Sequence, residues 1–250
     1  MPLLVAAVGL TLLGSLGGLL LASALLFFDD RVRSRVIPWL ISYAIGTMLA
    51  VALLGVIPEA LGQLPARTVL GTLLAGIMAF FVLEKLVLWR HCHTHDCEAH
   101  GAAAPLVLIG DAFHNFIDGV VIGTAVLTSV PLGISTAIAV AAHEIPQELG
   151  DFAILLGAGY SRRRALILNV LSGTSAIAGA VAAIAALDWV PALSPYVLSF
   201  AAASFLYIAM ADLIPDLHRG RIDARAFRQL LLVGAGIGTV VVLRGAIGGE

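Results

Sequence analysis

The sequence predicts an all-α integral membrane protein with eight transmembrane helices. Of its 250 residues, 60% are hydrophobic and only 12% are charged, and the mean hydropathy is +1.02. A soluble domain of this size does not need so much apolar surface. The formal net charge is −2 and no basic tract is present, which argues against nucleic-acid binding. We therefore expect one transmembrane domain, 1–250, embedded in the lipid bilayer.

The positions of the helices follow from apolar runs, because about 20 apolar residues are needed to cross the hydrocarbon core. Eight runs qualify: 2–28, 37–61, 68–89, 105–128, 131–157, 165–187, 192–213 and 227–246. The first lacks a basic start and a cleavage site, so we interpret it as a retained helix and not a signal peptide. Only a short turn near Ser129 and Pro131 separates the fourth run from the fifth.

The basic residues predict the orientation of these helices. With the N-terminus outside, twelve of the 14 Lys and Arg residues fall in cytoplasmic loops, and only Arg67 and Arg244 remain outside. This bias follows the positive-inside rule and makes both termini extracytoplasmic. It also places the 90–104 loop in the cytoplasm, where Cys92 and Cys97 would stay reduced. We expect the membrane to be a bacterial inner membrane or a plasma membrane.

The second and seventh runs share an ending, Ile57-Pro58-Glu59 in one and Ile214-Pro215-Asp216 in the other. The predicted topology sends these two helices in opposite directions. Helices 1–3 and 6–8 could therefore form an inverted repeat around helices 4 and 5, an arrangement found in many transporters. Apolar helices also commonly end near proline, so the shared ending alone does not decide the matter.

Polar side chains in mid-membrane are the main functional signal. The fourth run contains HNFIDG (114–119) and the fifth contains HEIPQELGDF (143–152). Residues three or four apart share one face of a helix. The two faces would present these residues: His114, Asn115, Asp118, His143, Glu144, Gln147 and Glu148. Gly119 and Gly150 would let a partner helix approach closely.

This set of side chains predicts a metal site. Imidazole nitrogens with carboxylate and amide oxygens are the ligands of zinc or ferrous iron. Single polar residues in membrane helices often serve interhelical hydrogen bonds instead. Several buried carboxylates without a cation would each be costly, which favours the metal interpretation.

The two motifs resemble the paired signature of the ZIP (Zrt/Irt-like) metal transporters. The resemblance covers the chain by topology, since that family has eight helices with both termini outside, and two consecutive motifs by residue. It implies a metal centre between the fourth and fifth helices, often with two ions. By position, one ion would be held by His114, Asp118, His143 and Gln147. The second would be held by Asn115, Asp118 and Glu144, with Asp118 bridging.

This chain departs from the family pattern at two places. Many relatives have His or Glu at the position of Gln147, and a neutral amide oxygen is a weaker ligand than either. The sixth helix lacks a carboxylate, and offers only Asn169 and Ser172 near its start. The first departure weakens one of the two implied metal positions, and the missing carboxylate of the sixth helix weakens the second position.

Other candidate ligands lie outside the two motifs. The resemblance places an extra ligand of some transporters near Met48, although methionine in a helix is more often core filler. The loop HCHTHDCEAH (91–100) holds four histidines and two cysteines. In ZIP relatives a histidine-rich cytoplasmic loop joins the third and fourth helices. We expect this loop to receive or sense metal through His91, His93, His95 and His100.

Three further carboxylates could line the path of the metal. Glu59 lies at the outer end of the second helix and could attract cations at the entrance. Asp111 and Asp151 lie on the inward side of the two motifs and could line the exit. Solvation of helix ends explains such residues equally well.

The sequence thus predicts a transporter that moves Zn²⁺ into the cytoplasm, with Fe²⁺, Mn²⁺ and Cd²⁺ as further substrates to consider. The alternative is an intramembrane zinc-dependent hydrolase, because His143-Glu144 resembles the opening of the His-Glu-x-x-His helix. Gln147 stands where that motif needs its second histidine. Helix faces rich in small residues would be compatible with a homodimer.

Overall fold

The computed structural model describes residues 2–91, 100–217 and 224–248, and no strand occurs within these ranges. The all-α fold class is therefore confirmed. Eight helical segments follow one another in the described ranges: α1, Pro2–Leu25; α2, 30–61; α3, Ala66–His91; α4, His100–Thr128; α5, Val130–Gly157; α6, Arg162–Trp189; α7, 191–217; and α8, Ala224–Gly248.

The helical segments coincide with the eight predicted runs. Among the described residues, seven segments are long and apolar enough to cross a membrane. The exception is α5, because His143, Glu144 and Gln147 lower its mean hydropathy. An integral membrane protein is thus supported, while the number of crossings and the side on which the termini lie stay predictions.

The turn between α4 and α5 consists of Ser129 alone. Its backbone is extended (φ −161°, ψ 146°), and its Oγ accepts a hydrogen bond from the Leu132 N–H at 3.3 Å. This is a serine N-cap, and Pro131 follows in the first turn, where its missing N–H costs nothing. The short turn makes α4 and α5 antiparallel neighbours, as the two motifs require.

Glycines set the distance between α4 and α6. A Cβ on Gly119 would overlap the backbone of Ala176, and one on Gly179 would overlap the carbonyl of Phe116. The predicted close approach at Gly119 is therefore confirmed. The same prediction for Gly150 is wrong, because no atom of a neighbouring element lies within 4 Å of its Cβ position; Gly150 lines a cavity instead.

The shared Ile-Pro-acid ending has a structural counterpart. A π-helical segment, Val51–Val56, precedes Ile57 in α2, and another, Ile208–Leu213, precedes Ile214 in α7. In both, the isoleucine N–H bonds to the carbonyl five residues earlier, Ala52 in α2 and Ala209 in α7. The wider turn gives room to the proline that follows, whose ring would clash within a regular helix. This local likeness supports the inverted repeat, which remains a prediction for the whole chain.

The helices pack as two groups that meet along α5. In one group α4 lies against α1, α5 and α6, and in the other α2 packs on α8 while α7 packs on α3. Helix α5 also contacts α2. Both motifs therefore lie inside the protein and not on its lipid-facing surface.

Candidate metal centre

Four side chains converge between α4 and α5. His114 and Asp118 come from α4, and His143 and Glu144 come from α5. One ligand atom from each lies within 4.8 Å of the other three. The i,i+4 spacing in α4 stacks His114 on Asp118, and the antiparallel turn at Ser129 brings the α5 pair to the same depth.

The distances between these atoms suit a tetrahedral zinc ion. Zinc bonds of about 2.0–2.1 Å at tetrahedral angles place ligand atoms about 3.4 Å apart. His143 Nε2 lies 3.1 Å from Asp118 Oδ2 and 3.2 Å from His114 Nε2. His114 Nε2 lies 3.4 Å from Asp118 Oδ2, and both Nε2 atoms lie 3.7 Å from Glu144 Oε1.

A hydrogen bond fixes the ring of His143. Its Nδ1 lies 3.0 Å from the carbonyl oxygen of Ala139. A carbonyl can only accept, so Nδ1 carries a proton and donates to it, which leaves Nε2 directed toward the cluster. Metal-ligating histidines typically donate their other N–H in this way.

The carboxylates of the cluster lack partners that would satisfy them. In the described part of the chain, Asp118 Oδ1 and both oxygens of Glu144 are buried and have no hydrogen-bond partner. Asp118 and Glu144 are fully buried, and His143 is 1% exposed, whereas His114 is 20% exposed. Two buried carboxylates facing two imidazoles form a site at which a divalent cation would neutralise both carboxylates in their ionised form.

Asn115 and Gln147 are turned toward Asp111, one helical turn away from the four ligands. Asn115 Nδ2 donates to Asp111 Oδ1 at 2.9 Å, and Gln147 Nε2 donates to the same atom at 3.4 Å. Ser172 on α6 donates to the other oxygen, Oδ2. Asn115 Oδ1 accepts from Ser15 of α1 at 2.7 Å. We call these five residues the Asp111 network.

Other residues predicted for the site lie near it or apart from it. Glu148 is wholly buried one turn along α5, and neither of its oxygens has a hydrogen-bond partner in the described structure. Asp151 follows on the same helix and is partly buried. Met48 is fully buried in the main apolar core, and Glu59 is partly exposed near the end of α2. None of the four belongs to the converging group, and their roles stay predictions.

Of the four loop histidines, His93 and His95 lie outside the described residues. His91 ends α3 and His100 begins α4, which agrees with a short connection between these helices. The role of the loop in receiving metal stays a prediction.

Sequence reasoning missed two residues that contact the predicted ones. Ser15 lies in a π-helical segment of α1, Leu12–Leu16, and nothing in the apolar run around it indicates a bond to Asn115. Phe205 on α7 is fully buried and places its ring edge-on to His143, with the centroids 6.3 Å apart. A close packing of α1 on α5 also escaped notice, since a Cβ on Gly18 would lie 2.7 Å from Glu144 Cβ.

A cavity of about 420 Å³ leads to the cluster from one end of the bundle. His143 and Gln147 face it, and the rest of its lining is mostly apolar: Ile37, Ile41, Pro146, Leu149, Gly150, Ile208 and Leu213. These residues come from the first half of α2 and the later halves of α5 and α7. The cavity therefore lies toward the loops that carry most of the basic residues.

Comparison with known proteins gives a consistent result. The family described as ZIP zinc transporter matches residues 88–244. Zinc transporter ZIP13 of Pongo abelii is 34% identical over 233 residues, which cover 84% of this chain and 69% of that protein. Zinc transporter ZIP10 of Danio rerio is 42% identical over 115 residues, 46% of this chain and 14% of that protein. Zinc transporter ZIP4 of Homo sapiens is 41% identical over 132 residues, 53% of this chain and 20% of that protein.

These relatives differ in how much of their own length this chain spans, and all three come from animals. The chain spans only 14% of the zebrafish ZIP10 protein but 69% of ZIP13. The relatives come from animals, so they give no support to the bacterial membrane expected above. The family match covers more than half of the chain and includes both motifs. The chain belongs to the ZIP zinc transporter family.

Proposed function

We propose that this protein moves Zn²⁺ across a membrane into the cytoplasm through the site formed by His114, Asp118, His143 and Glu144. The relatives named above are called zinc transporters, and the chemistry of this chain agrees with that activity. Zinc is the cargo, so the site must bind it and also release it.

One observation carries the proposal: one ligand atom from each of the four side chains lies within 4.8 Å of the other three. The five separations that involve a histidine nitrogen are 3.1–3.7 Å and bracket the spacing of about 3.4 Å that tetrahedral zinc imposes. Two nitrogens and two oxygens form a ligand set that also accepts Fe²⁺, Mn²⁺ and Cd²⁺. We propose these ions as competitors in the same site.

The cavity supports release toward the cytoplasm. It opens to His143 and Gln147 between α2, α5 and α7, at the end of the bundle where the basic loops predict the cytoplasm. We infer that zinc enters from the side of Glu59 and leaves through this cavity. Asp111 and Asp151 are the further groups proposed along the inward side.

The test is zinc uptake into proteoliposomes with a trapped fluorescent indicator. We expect Asp118→Ala to abolish uptake, because it removes an oxygen that faces both histidines. Thr124→Ala is the matched control: Thr124 is buried two turns along α4 and bonds only to the Val120 carbonyl among the described contacts. It should transport like wild type.

Either result is informative. Normal uptake by Asp118→Ala would remove the four-residue site from the transport path. Absence of uptake by the wild-type protein, together with zinc that stays bound through dialysis, would favour the hydrolase alternative. The names of the relatives favour transport over hydrolysis.

The surroundings of the protein belong to the same proposal. Large apolar side chains are exposed around the bundle, among them Leu20, Leu74 and Val242, and a lipid bilayer would cover them. A homodimer is proposed from the small-residue faces alone, and the mass of the detergent-solubilised protein checks it.

A further inference from the structure

The Asp111 network engages Asn115, which the family resemblance would place among the ligands of a second ion. That ion would need the oxygen of Asn115 together with Asp118 and Glu144. In the structure the Asn115 amide is already engaged at both ends. Its Nδ2 donates to the Asp111 side chain at 2.9 Å and to the Asp111 carbonyl at 3.1 Å.

The orientation of the Asn115 amide follows from its partners. A carboxylate and a carbonyl only accept, so the nitrogen must face Asp111. Oδ1 is therefore turned toward Ser15, which donates to it at 2.7 Å. Ser15 Oγ also lies 3.3 Å from the Gly173 carbonyl, and the Asn115 oxygen lies 3.9 Å from the Cβ position of Gly173. The only oxygen that Asn115 could offer a metal thus faces α1 and α6.

The Asp111 carboxylate is surrounded by donors, which is unfavourable for a cation. Asn115 and Gln147 direct N–H groups at Oδ1, and Ser172 directs its hydroxyl at Oδ2. Three hydrogens converging on one carboxylate satisfy its lone pairs. A divalent ion placed beside Asp111 would have to displace them.

The charge of the four-residue site also favours a single metal ion. One divalent ion neutralises Asp118 and Glu144, and His114 and His143 complete four-coordination. A second ion would add two positive charges where α6 contributes the neutral Ser172. We propose, building on the function inferred above, that the centre holds one metal ion and that the Asp111 network takes the place of a second.

The test measures how many zinc ions the purified full chain binds in detergent, by calorimetry and by metal analysis after dialysis, with the loop residues His91, Cys92, His93, His95, Cys97 and His100 replaced by serine so that the loop adds no zinc. We expect one ion per chain, and the same stoichiometry in Asn115→Ala and in the Thr124→Ala control. X-ray absorption at the zinc edge of the wild-type protein should show no metal–metal distance at about 3.5–4 Å, the separation typical of two-metal sites.

Two ions per chain in this loop-substituted protein would overturn the proposal. If the number then fell to one in Asn115→Ala, the second ion would lie at Asn115; if it did not, Glu148→Gln would test whether that carboxylate holds it. A loop-substituted protein that binds two ions and transports zinc would refute the single-ion centre alone. One that binds no zinc and transports none would refute the proposed function as well.

Discussion

Two imidazoles and two carboxylates lie within 4.8 Å of one another, so their nitrogen lone pairs and oxygens repel one another unless protons or a cation lie among them. His143 Nε2 lies 3.1 Å from Asp118 Oδ2, a distance that either a shared proton or a bound cation would satisfy. Desolvation inside the bundle makes the repulsion stronger than in water. We therefore expect a divalent ion to bind among these four side chains, where it would remove that repulsion.

Gln147 is the position at which one substitution would introduce the histidine that the family resemblance implies. Its amide donates to Asp111 at 3.4 Å and lines the cavity beside His143. In Gln147→His an imidazole nitrogen would be added at the release side of the site. We expect the zinc dissociation constant to fall about tenfold, or about 1.4 kcal/mol, and maximal uptake to slow because release becomes harder.

Calorimetric titration and proteoliposome uptake measure the two effects of Gln147→His. The control is Gln147→Leu, which loses the bond to Asp111 without adding a ligand and should not tighten binding. Identical zinc affinity and uptake in Gln147→His and wild type would mean that position 147 lies too far from the metal to contribute.

Residue spacing predicted the four-residue site because its geometry is mostly local. The i,i+4 relation stacks His114 on Asp118, and the adjacent pair His143-Glu144 needs only an antiparallel neighbour. Spacing could not predict the partner of Asn115, because Ser15 lies 100 residues away and its position depends on how α1 packs. The same holds for Phe205, whose contact with His143 depends on the placement of α7.

At the scale of the helices, hydrophobic runs correctly predicted that the eight helices exist and approximately where each begins and ends. They did not predict the irregular turns within the helices. The π-helical segments in α1, α2 and α7 leave no trace in an apolar run, since their residues other than Asp212 are apolar or small whichever turn they adopt. Only the two prolines, Pro58 and Pro215, hinted at them. The prediction of a close approach at Gly150 was wrong for a related reason. The sequence shows that a glycine lies on a helix face, but it does not show whether a partner helix or a cavity lies opposite that face.

The contact of α4 with α6 should be sensitive to a single methyl group. Gly119→Ala would place a Cβ against the backbone of Ala176, and overpacking of this kind costs about 1–3 kcal/mol. Gly110 on the same helix has no neighbouring atom within 4 Å of its Cβ position. There the same change should stabilise the helix by about 0.5–1 kcal/mol.

The pair is compared by the temperature at which each detergent-solubilised variant loses its monodisperse gel-filtration peak. We expect Gly119→Ala to lose it at a lower temperature than wild type and Gly110→Ala at the same or a higher one. Equal stability of the two variants would show that α4 and α6 can separate at little cost.

At the scale of the whole molecule, the histidine-rich loop 91–100 joins α3 to α4 in the sequence, outside the two motifs. Replacing His91, His93, His95 and His100 with serine should change the rate of uptake or its dependence on zinc concentration and leave a measurable flux. The reason is that the four converging side chains of the described residues belong to α4 and α5. Complete loss of uptake, with normal expression, would place the loop on the transport path.

The direction of transport depends on the orientation of the chain, which the two cysteines allow to be tested without engineering a label. Cys92 and Cys97 are the only cysteines, and both belong to the loop predicted to be cytoplasmic. A membrane-impermeant maleimide should therefore label intact cells only after permeabilisation. A double Cys92→Ser, Cys97→Ser variant should not be labelled at all. In that background Gln63→Cys, at an exposed position in the turn between α2 and α3, should be labelled in intact cells. The opposite pattern, with the native cysteines reached from outside, would invert the topology, and the cavity beside His143 would then open outward as the entrance for zinc.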